Sequence, residues 1–432
     1  MSAKQKILIK GPTRLSGKVT PIANKNSIMA ALPVCLLTKY DVIYQNLPKT
    51  SDVQVMLEIL QRLGAKVVKD SQGKTIINTK NITNYEIPTE LSSKNRASIM
   101  FLGPLFARFG QAEIGEVGGC KLGKRPFDDH LLQLSKFGGK TTSHNNKFGL
   151  EKTESIIHSP GLIWLREPSV TVTENIIMAA SLVEEETVIY NAACEPNIVD
   201  LCQVLENMGV SIQGAGTNKV TVTGKYHLKG ATVNVRPDFL DIGALIAAAY
   251  VTGGELTING VRMADYQNII QMYQDIGIQA ESSSEGIFVP AQSPGYIRKD
   301  LLGRSIKIKA EPWPGFPVDL IPIIIIASLF SKGQVIIQNH MFDNALDWTD
   351  QLQKMGAIIY QGNPMEVCVT GPSKLTGTTL SSKGIIQAGV AMFIAGLAAK
   401  GETVIEDAEA ICRRYPDIVE TFGKLGADVS WQ

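Results

Sequence analysis

Apolar positions along this chain repeat one pattern six times. In VMLEILQRLGAKVV, LLQLSKFGGKT, LCQVLENMGVSI, IIQMYQDIGIQA, WTDQLQKMGAIIY and IVETFGKLGADVS, a helical apolar period runs into a glycine and then into a strand-like stretch. The glycines are Gly64, Gly138, Gly209, Gly277, Gly356 and Gly426, separated by 74, 71, 68, 79 and 70 residues. Each suits the left-handed position that ends a helix. The spacing exceeds that of common solenoid repeats and predicts six copies of one α/β unit, grouped three and three. QNLPKTSDV (45–53) and NAACEPNIVD (191–200) put an acid, Ser or Asp just before such a helix, as a cap would. GVRMADY (260–266) and EAICRRYPD (409–417) hold the corresponding places later in the chain. A second set of segments is rich in Ala and nearly uncharged: SIMAALPVCLL (27–37), ASIMFLGPLFARFG (97–110), NIIMAASLV (175–183), DIGALIAAAYVTGG (241–254) and AGVAMFIAGLAAKG (388–401). These predict helices with most of their surface buried against sheet.

The 432 residues exceed one ordinary core, so two domains are expected. With 44% apolar and 19% charged residues the composition is that of a soluble globular protein. A net charge of +1 supplies no general field for nucleic acid or an anionic membrane, so neither is expected as a partner; anion recognition must come from local clusters. The start, MSAKQKILIKGP, lacks the sustained apolar core of a signal peptide. The longest apolar run, Leu320 to Phe330, is too short to span a bilayer and reads as a buried helix or strand. Cys35, Cys120, Cys194, Cys202, Cys368 and Cys412 form no CxxC pair, which fits a reduced cytoplasmic chain better than a disulfide framework. The five histidines are scattered, so no metal site is expected.

Four clusters carry candidate chemistry. In EVGGCKLGKRPFDDH (116–130), Gly118, Gly119 and Gly123 permit a sharply turning loop, and Lys121, Lys124 and Arg125 make it electropositive. Cations raise a thiol's thiolate fraction, so Cys120 is a candidate acid, base or nucleophile; the alternative is an incidental cysteine in a surface loop. In PIANKNSIMAAL (21–32), Lys25-Asn26 precedes a helix of small residues, where a lysine can join free backbone N–H groups around a phosphate, or simply be solvated. In AEPWPGFPVDLIPI (310–323), Asp319 stands at the edge of an apolar run and either caps a helix or acts as a base. CRRYPD (412–417) holds an arginine pair for which a surface role is the default.

The order of Lys25-Asn26, Arg96 in NRASIMFLGPLFARFG, GGCKLGKRP, WPGFPVD and a late RRY resembles the enolpyruvyl transferases, from GPTRLSGKVT at the start to KLGADVS at the end. The resemblance implies a two-domain inside-out α/β barrel of six repeats, three per domain, with helices inside and sheets outside. One domain is expected at 22–235, carrying the cysteine loop as a lid, and the other at 1–21 plus 236–432, carrying Asp319 and Arg413. It also implies transfer of the enolpyruvyl group of phosphoenolpyruvate to a hydroxyl of a uridine nucleotide, with release of phosphate, domain closure that excludes water, and sensitivity to fosfomycin-type alkylation. UDP-N-acetylglucosamine, a peptidoglycan precursor, is the acceptor to expect; uridine monophosphate, or nucleotide binding without turnover, are the alternatives. By the same resemblance Cys120 is the acid near the donor and Asp319 takes the acceptor's proton. Lys25, Arg96, Arg125 and Arg413 surround donor and phosphate. Asn26 and Glu195 organise the sugar and the lysine, Pro126, Phe127 and Asp128 with Arg125 read the uracil, and Ser169 and Val170 hold the diphosphate. Met341 belongs to the same acceptor set. No metal or organic cofactor is implied.

Some positions depart from the family pattern. Glu167 stands where a lysine is expected and Thr171 where a glycine is. Ala345 replaces an arginine, and Ile385, Ile386 and Gln387 stand for Asp-Leu-Arg. Met100 takes the place of a tryptophan near the acetamido group. The lost arginines are ones that grip the donor's carboxylate, and charge-assisted pairs contribute about 1.5–3 kcal/mol each. Arg414 and Lys383 are the nearest candidates to compensate.

Overall fold

A computed structural model describes residues 5–118 and 127–432. The chain forms two compact units. One joins the N-terminal segment up to Ile22 with Pro237–Gln432, and the other runs from Ala23 to Arg236. Each has its own apolar core.

Six four-stranded sheets share one plan. Two parallel strands are followed by a third antiparallel to the second and a fourth antiparallel to the third. Thus Glu86–Ile87, Gln111–Ile114, Lys147–Lys152 and Gly139–His144 lie side by side in that order. In four of the sheets a buried helix connects the parallel pair; in the other two the parallel strands come from distant parts of the chain. A second helix leads through a glycine to the edge strand. All six glycines named above have positive φ, from 87° at Gly138 to 108° at Gly209, and so turn the chain out of a helix where a side chain would be strained.

The Ala- and Ile-rich segments are the inner helices. Phe239–Val251 and Ile321–Ser328 are buried along their whole length, and Ile386–Ala398 from Gln387 to Leu397. These three pack on one another inside a wall of sheets. In the other unit the inner helices are Lys25–Ala31, Leu102–Phe109 and Val170–Ala180. The first runs on as a 3-10 helix through Leu37, and the second is entered through a 3-10 turn, Arg96–Phe101. The continuous helix expected over 27–37 is thereby corrected: Pro33 offers no N–H, and the chain tightens there. The caps are corrected too. Thr50 accepts from the Val53 N–H, but Glu195 and Asp417 precede their helices without a side-chain cap bond.

Three sheets are completed by strands distant in sequence, one of them through Ser16–Val19 on Glu255–Asn259. Ile7–Gly11 lies between Gly401–Glu406 and Asp428–Trp431. Ala231–Val233 pairs with Val42–Tyr44. Where the chain leaves and re-enters the first unit, the Asp238 N–H donates to the Ile22 carbonyl at 2.8 Å.

Candidate active site

In the unit from Ala23 to Arg236, Lys25 opens its helix, and Asn24 caps it by accepting from the Asn26 and Ser27 amides at 2.9 and 3.2 Å. The Lys25 ammonium is buried against the Asp52 carboxylate, from the first turn of Ser51–Leu63. Asn95 Nδ2 donates to the Asp52 carbonyl at 3.1 Å, which places Arg96 at the next step of the chain. Arg96 faces His130, whose imidazole is pushed down to about 3, first by burial and then by that guanidinium. His130 is therefore neutral, and its tautomer follows from its neighbours. Asn175 Oδ1 accepts from the Gly103 N–H at 2.9 Å, so its amide nitrogen donates to the Ile99 carbonyl and to His130 Nδ1, at 2.9 and 2.8 Å. The His130 Nε2–H then donates to Thr171 Oγ1 at 3.1 Å. The threonine that stands in place of the family's glycine thus has a partner of its own.

Ser169 and Val170 open the helix Val170–Ala180, whose first-turn amides lack helical acceptors. Thr173 Oγ1, one turn on, donates to the Ser169 carbonyl at 2.8 Å and accepts from the Ala193 N–H at 3.1 Å. That ties the segment to Glu195, two residues further. Beside Glu195 lies Glu174, fully buried. Burial, and then the Glu195 charge, push Glu174 up to about 8 against a 2.6 Å hydrogen bond from Asn197. Lys25, Asn26, Arg96, Ser169, Val170 and Glu195 are thus joined through hydrogen bonds, an ion pair, electrostatic proximity and short steps along the chain. Phe127 packs edge-on against Phe148 at 5.3 Å, and Asp128 follows it as the first residue of Asp128–Ser135. Cys120, Arg125 and Pro126 lie outside the described residues. Met100 is 1% exposed and belongs to the core, so it lines no site.

In the other unit, Asp319 sits in the 3-10 turn Val318–Leu320. Neither that turn nor the helix after it has a side-chain cap bond, so the capping alternative falls. The half-buried Asp319 carboxylate has no hydrogen-bond partner among the described residues. Arg414 is close enough to feel it. The surface role expected of the arginine pair is corrected for Arg414, which is 4% exposed and paired with Asp238, itself fully buried. Asp238 caps Phe239–Val251 by accepting from the Leu240 N–H at 3.0 Å. Asp241, one turn on, accepts from the Ile22 N–H at 2.9 Å and is pushed up to about 7 by burial, then by the Asp238 charge. Arg413 precedes Arg414 at the end of Glu409–Cys412. Met341 is exposed, and its N–H donates to Asn339 Oδ1. Lys383 is engaged by Asp350 at 3.2 Å and Arg414 by Asp238, so neither cation stands idle to replace the arginines lost at Ala345 and Gln387.

Sequence reasoning missed Glu174, Asp238, Asp241 and Asp52. For Glu174, Asp238 and Asp241 the available signal was an acid inside or just ahead of an otherwise uncharged helix; Asp52, in a helix that also carries Glu58 and Arg62, gave none. Among the described residues no cluster of His, Cys, Asp and Glu is arranged to hold a metal ion, and no helix is long and apolar enough to cross a membrane.

The model of the family described as EPSP synthase (3-phosphoshikimate 1-carboxyvinyltransferase) matches residues 9–422. The chain is 38% identical over 422 residues to the UDP-N-acetylglucosamine 1-carboxyvinyltransferase of Borrelia garinii subsp. bavariensis, covering 98% of each. It is 35% identical over 423 residues to that of Treponema denticola, again covering 98% of each. Among solved structures, the enolpyruvyl transferase NikO from Streptomyces tendae superposes with a TM-score of 0.85 at 20% identity, over 99% of both chains. An EPSP synthase from Acinetobacter baumannii gives 0.76 at 16% identity over the whole of both chains.

Proposed function

The chain belongs to the EPSP synthase family of enolpyruvyl transferases, and from that premise we propose that it transfers the enolpyruvyl group of phosphoenolpyruvate to a hydroxyl of UDP-N-acetylglucosamine in the cytoplasm, for peptidoglycan synthesis. The observation that carries the acceptor is the 38% identity, across 98% of both chains, to an enzyme named for that sugar nucleotide.

The reaction needs a proton delivered to the donor's methylene carbon, a bond from the acceptor oxygen to the adjacent carbon, and a proton removed from that oxygen. Collapse of the resulting tetrahedral ketal expels phosphate and returns the methyl proton. Asp319, half-buried and not engaged in capping, takes the acceptor proton. Cys120 supplies the proton to carbon. Lys25, held by Asp52 at the start of a helix, meets the departing phosphate with Arg96, Arg125 and Arg413. Asn26, Glu195, Ser169, Val170, Pro126, Phe127, Asp128 and Met341 hold the nucleotide.

A second acceptor, uridine monophosphate, is favoured by one observation. Glu167 is exposed three residues before the helix Val170–Ala180, where its charge opposes a second phosphate. Phosphate release from phosphoenolpyruvate with each acceptor separates the two. Turnover with UDP-N-acetylglucosamine supports the first, turnover with the monophosphate alone supports the second, and release with neither overturns both.

A further inference from the structure

Tyr296, Leu301, Leu302, Ile358 and Tyr360 are exposed large apolar side chains that lie on, or on the segment leading into, one sheet, formed by Lys307–Lys309, Gly333–Gln338, Glu366–Gly371 and Ile358–Asn363. Its inner face is Ile308, Val335, Ile337, Val367, Val369 and Ile359, all buried. Alternation turns the other set outward. Register places Lys307, Ile336, Cys368 and Tyr360 in one row across that outer face, and Gln334, Thr370 and Ile358 in the row beside it. Tyr360 is 73% exposed and Ile358 57%.

Just before the sheet, the turn Asp300–Gly303 carries Leu301 and Leu302 at its tip, Leu301 as exposed as a side chain can be. Such positions normally take polar residues or glycine. The turn is pinned, so the leucines cannot fold back. Asp300 Oδ1 accepts from the Leu302 and Arg304 amides, both at 2.9 Å, and Oδ2 accepts from Arg304 Nε at 2.7 Å. These bonds hold the Asp300 carboxyl below the usual range.

Lysines stand on the bridges and the strand that flank this turn. Lys299, Lys307, Lys309 and Lys332 are exposed, and none has a carboxylate partner among the described residues. Lys332 lies over the Tyr296 ring at 4.9 Å. The only carboxylate on the outer face of the sheet is Glu366, and it is bonded by the Gln338 side chain.

We propose that this face docks on an anionic lipid surface. A projecting apolar tip needs a matching pocket to bind a protein, but a bilayer accepts it anywhere. Tyrosines with a polar end, and lysines whose stems lie along apolar surface, suit the headgroup layer. The unpaired lysines complement lipid phosphates, and weak insertion combined with a basic patch gives the two signals that reversible anchoring needs. Leu301 and Leu302 enter the acyl boundary, Tyr296 and Tyr360 lie at headgroup level, and Lys299, Lys307, Lys309 and Lys332 face the phosphates.

The test is sedimentation of the full-length protein with vesicles of mixed phosphatidylglycerol and phosphatidylcholine, against phosphatidylcholine alone. Binding is expected only with the anionic vesicles and is expected to weaken as salt rises. A Leu301→Ser/Leu302→Ser variant should lose most of the bound fraction. Lys307→Gln and Lys309→Gln should each weaken binding roughly fivefold. Because these side chains are exposed, melting temperature and turnover should be unchanged in every variant. No binding to anionic vesicles, or equal binding by the leucine variant, overturns the proposal. So does a wild-type dimer that the leucine variant disperses, since the patch would then serve a second copy of the chain.

Discussion

Lys25 and Arg414 each meet a carboxylate where water cannot help to separate the charges, and this makes both pairs asymmetric in mutation. Removing one partner strands the other. Arg414→Met leaves the buried Asp238 carboxyl without its guanidinium partner and should cost about 3–5 kcal/mol in urea unfolding. Adding Asp238→Asn should recover most of that loss, because asparagine still caps Phe239–Val251 without the charge. Asp319→Asn should leave stability within about 0.5 kcal/mol, since the carboxylate makes no cap, and should abolish phosphate release. Buried protons set a pH signature of opposite signs. Glu174 and Asp241 are raised to about 8 and about 7, above the roughly 4 of an unfolded carboxyl. The folded state keeps protons that the unfolded chain releases, so their contribution to stability is full below about pH 4 and is lost as pH rises through 7 and 8. His130, lowered to about 3, works the other way: its contribution is full above about pH 6.5 and is lost as pH falls toward 3. Unfolding free energy measured from pH 6 to 9 should therefore decline, and Glu174→Gln should flatten the decline. None of these pairings was legible in sequence. The run CRRYPD names two arginines, but which is buried depends on Asp238, which lies 176 residues earlier. Lys25 and Asp319 could be singled out as candidates because each stands beside an abrupt change from turn residues to apolar ones, but the roles expected of them came from the family resemblance.

Six helices end alike, and this was the strongest signal in the chain, because only glycine takes the left-handed turn without strain. The space around each turn differs. At Gly209 an added Cβ would meet nothing within 4 Å, so Gly209→Ala should cost about 1–2 kcal/mol in urea unfolding, from backbone strain alone. At Gly277 the same Cβ would lie 2.7 Å from the backbone of Gly295 and Tyr296, so Gly277→Ala should cost distinctly more. Thr50→Ala should cost about 1 kcal/mol by uncapping Ser51–Leu63, the helix that presents Asp52 to Lys25. Helix starts were less legible than helix ends. Glu195 and Asp417 look like caps by position, yet neither side chain turns back to its helix. The 3-10 stretches at Leu32–Leu37 and Arg96–Phe101 carry a helical apolar period, so periodicity alone could not tell them from α-helix.

Counted over the whole molecule, charge nearly cancels, and that sum hides a patch where four lysines stand with two engaged carboxylates, Asp300 and Glu366. Net charge reports on long-range fields and is blind to how the fold sorts charges between the two sides of a sheet. The repeat count, by contrast, was legible at this scale, because every unit spends its sequence on the same succession of buried helix, strand, capped helix and edge strand. The strand Ile7–Gly11 breaks that local order. It is an inner strand, flanked on both sides by Gly401–Glu406 and Asp428–Trp431, and the Lys6 and Gln432 backbones exchange hydrogen bonds of 3.1 and 2.9 Å. On a ribosome this strand emerges well before either of its neighbours. At about 5–20 residues per second it waits roughly 20–80 s with both edges unsatisfied, while the unit between Ala23 and Arg236 has all its strands in hand long before. Synthesis of those two neighbours, rather than any local folding step, therefore sets when the first unit can close its last sheet, and a nascent chain stalled short of Gly401 would display a bare β-edge to every chaperone and neighbouring chain it meets.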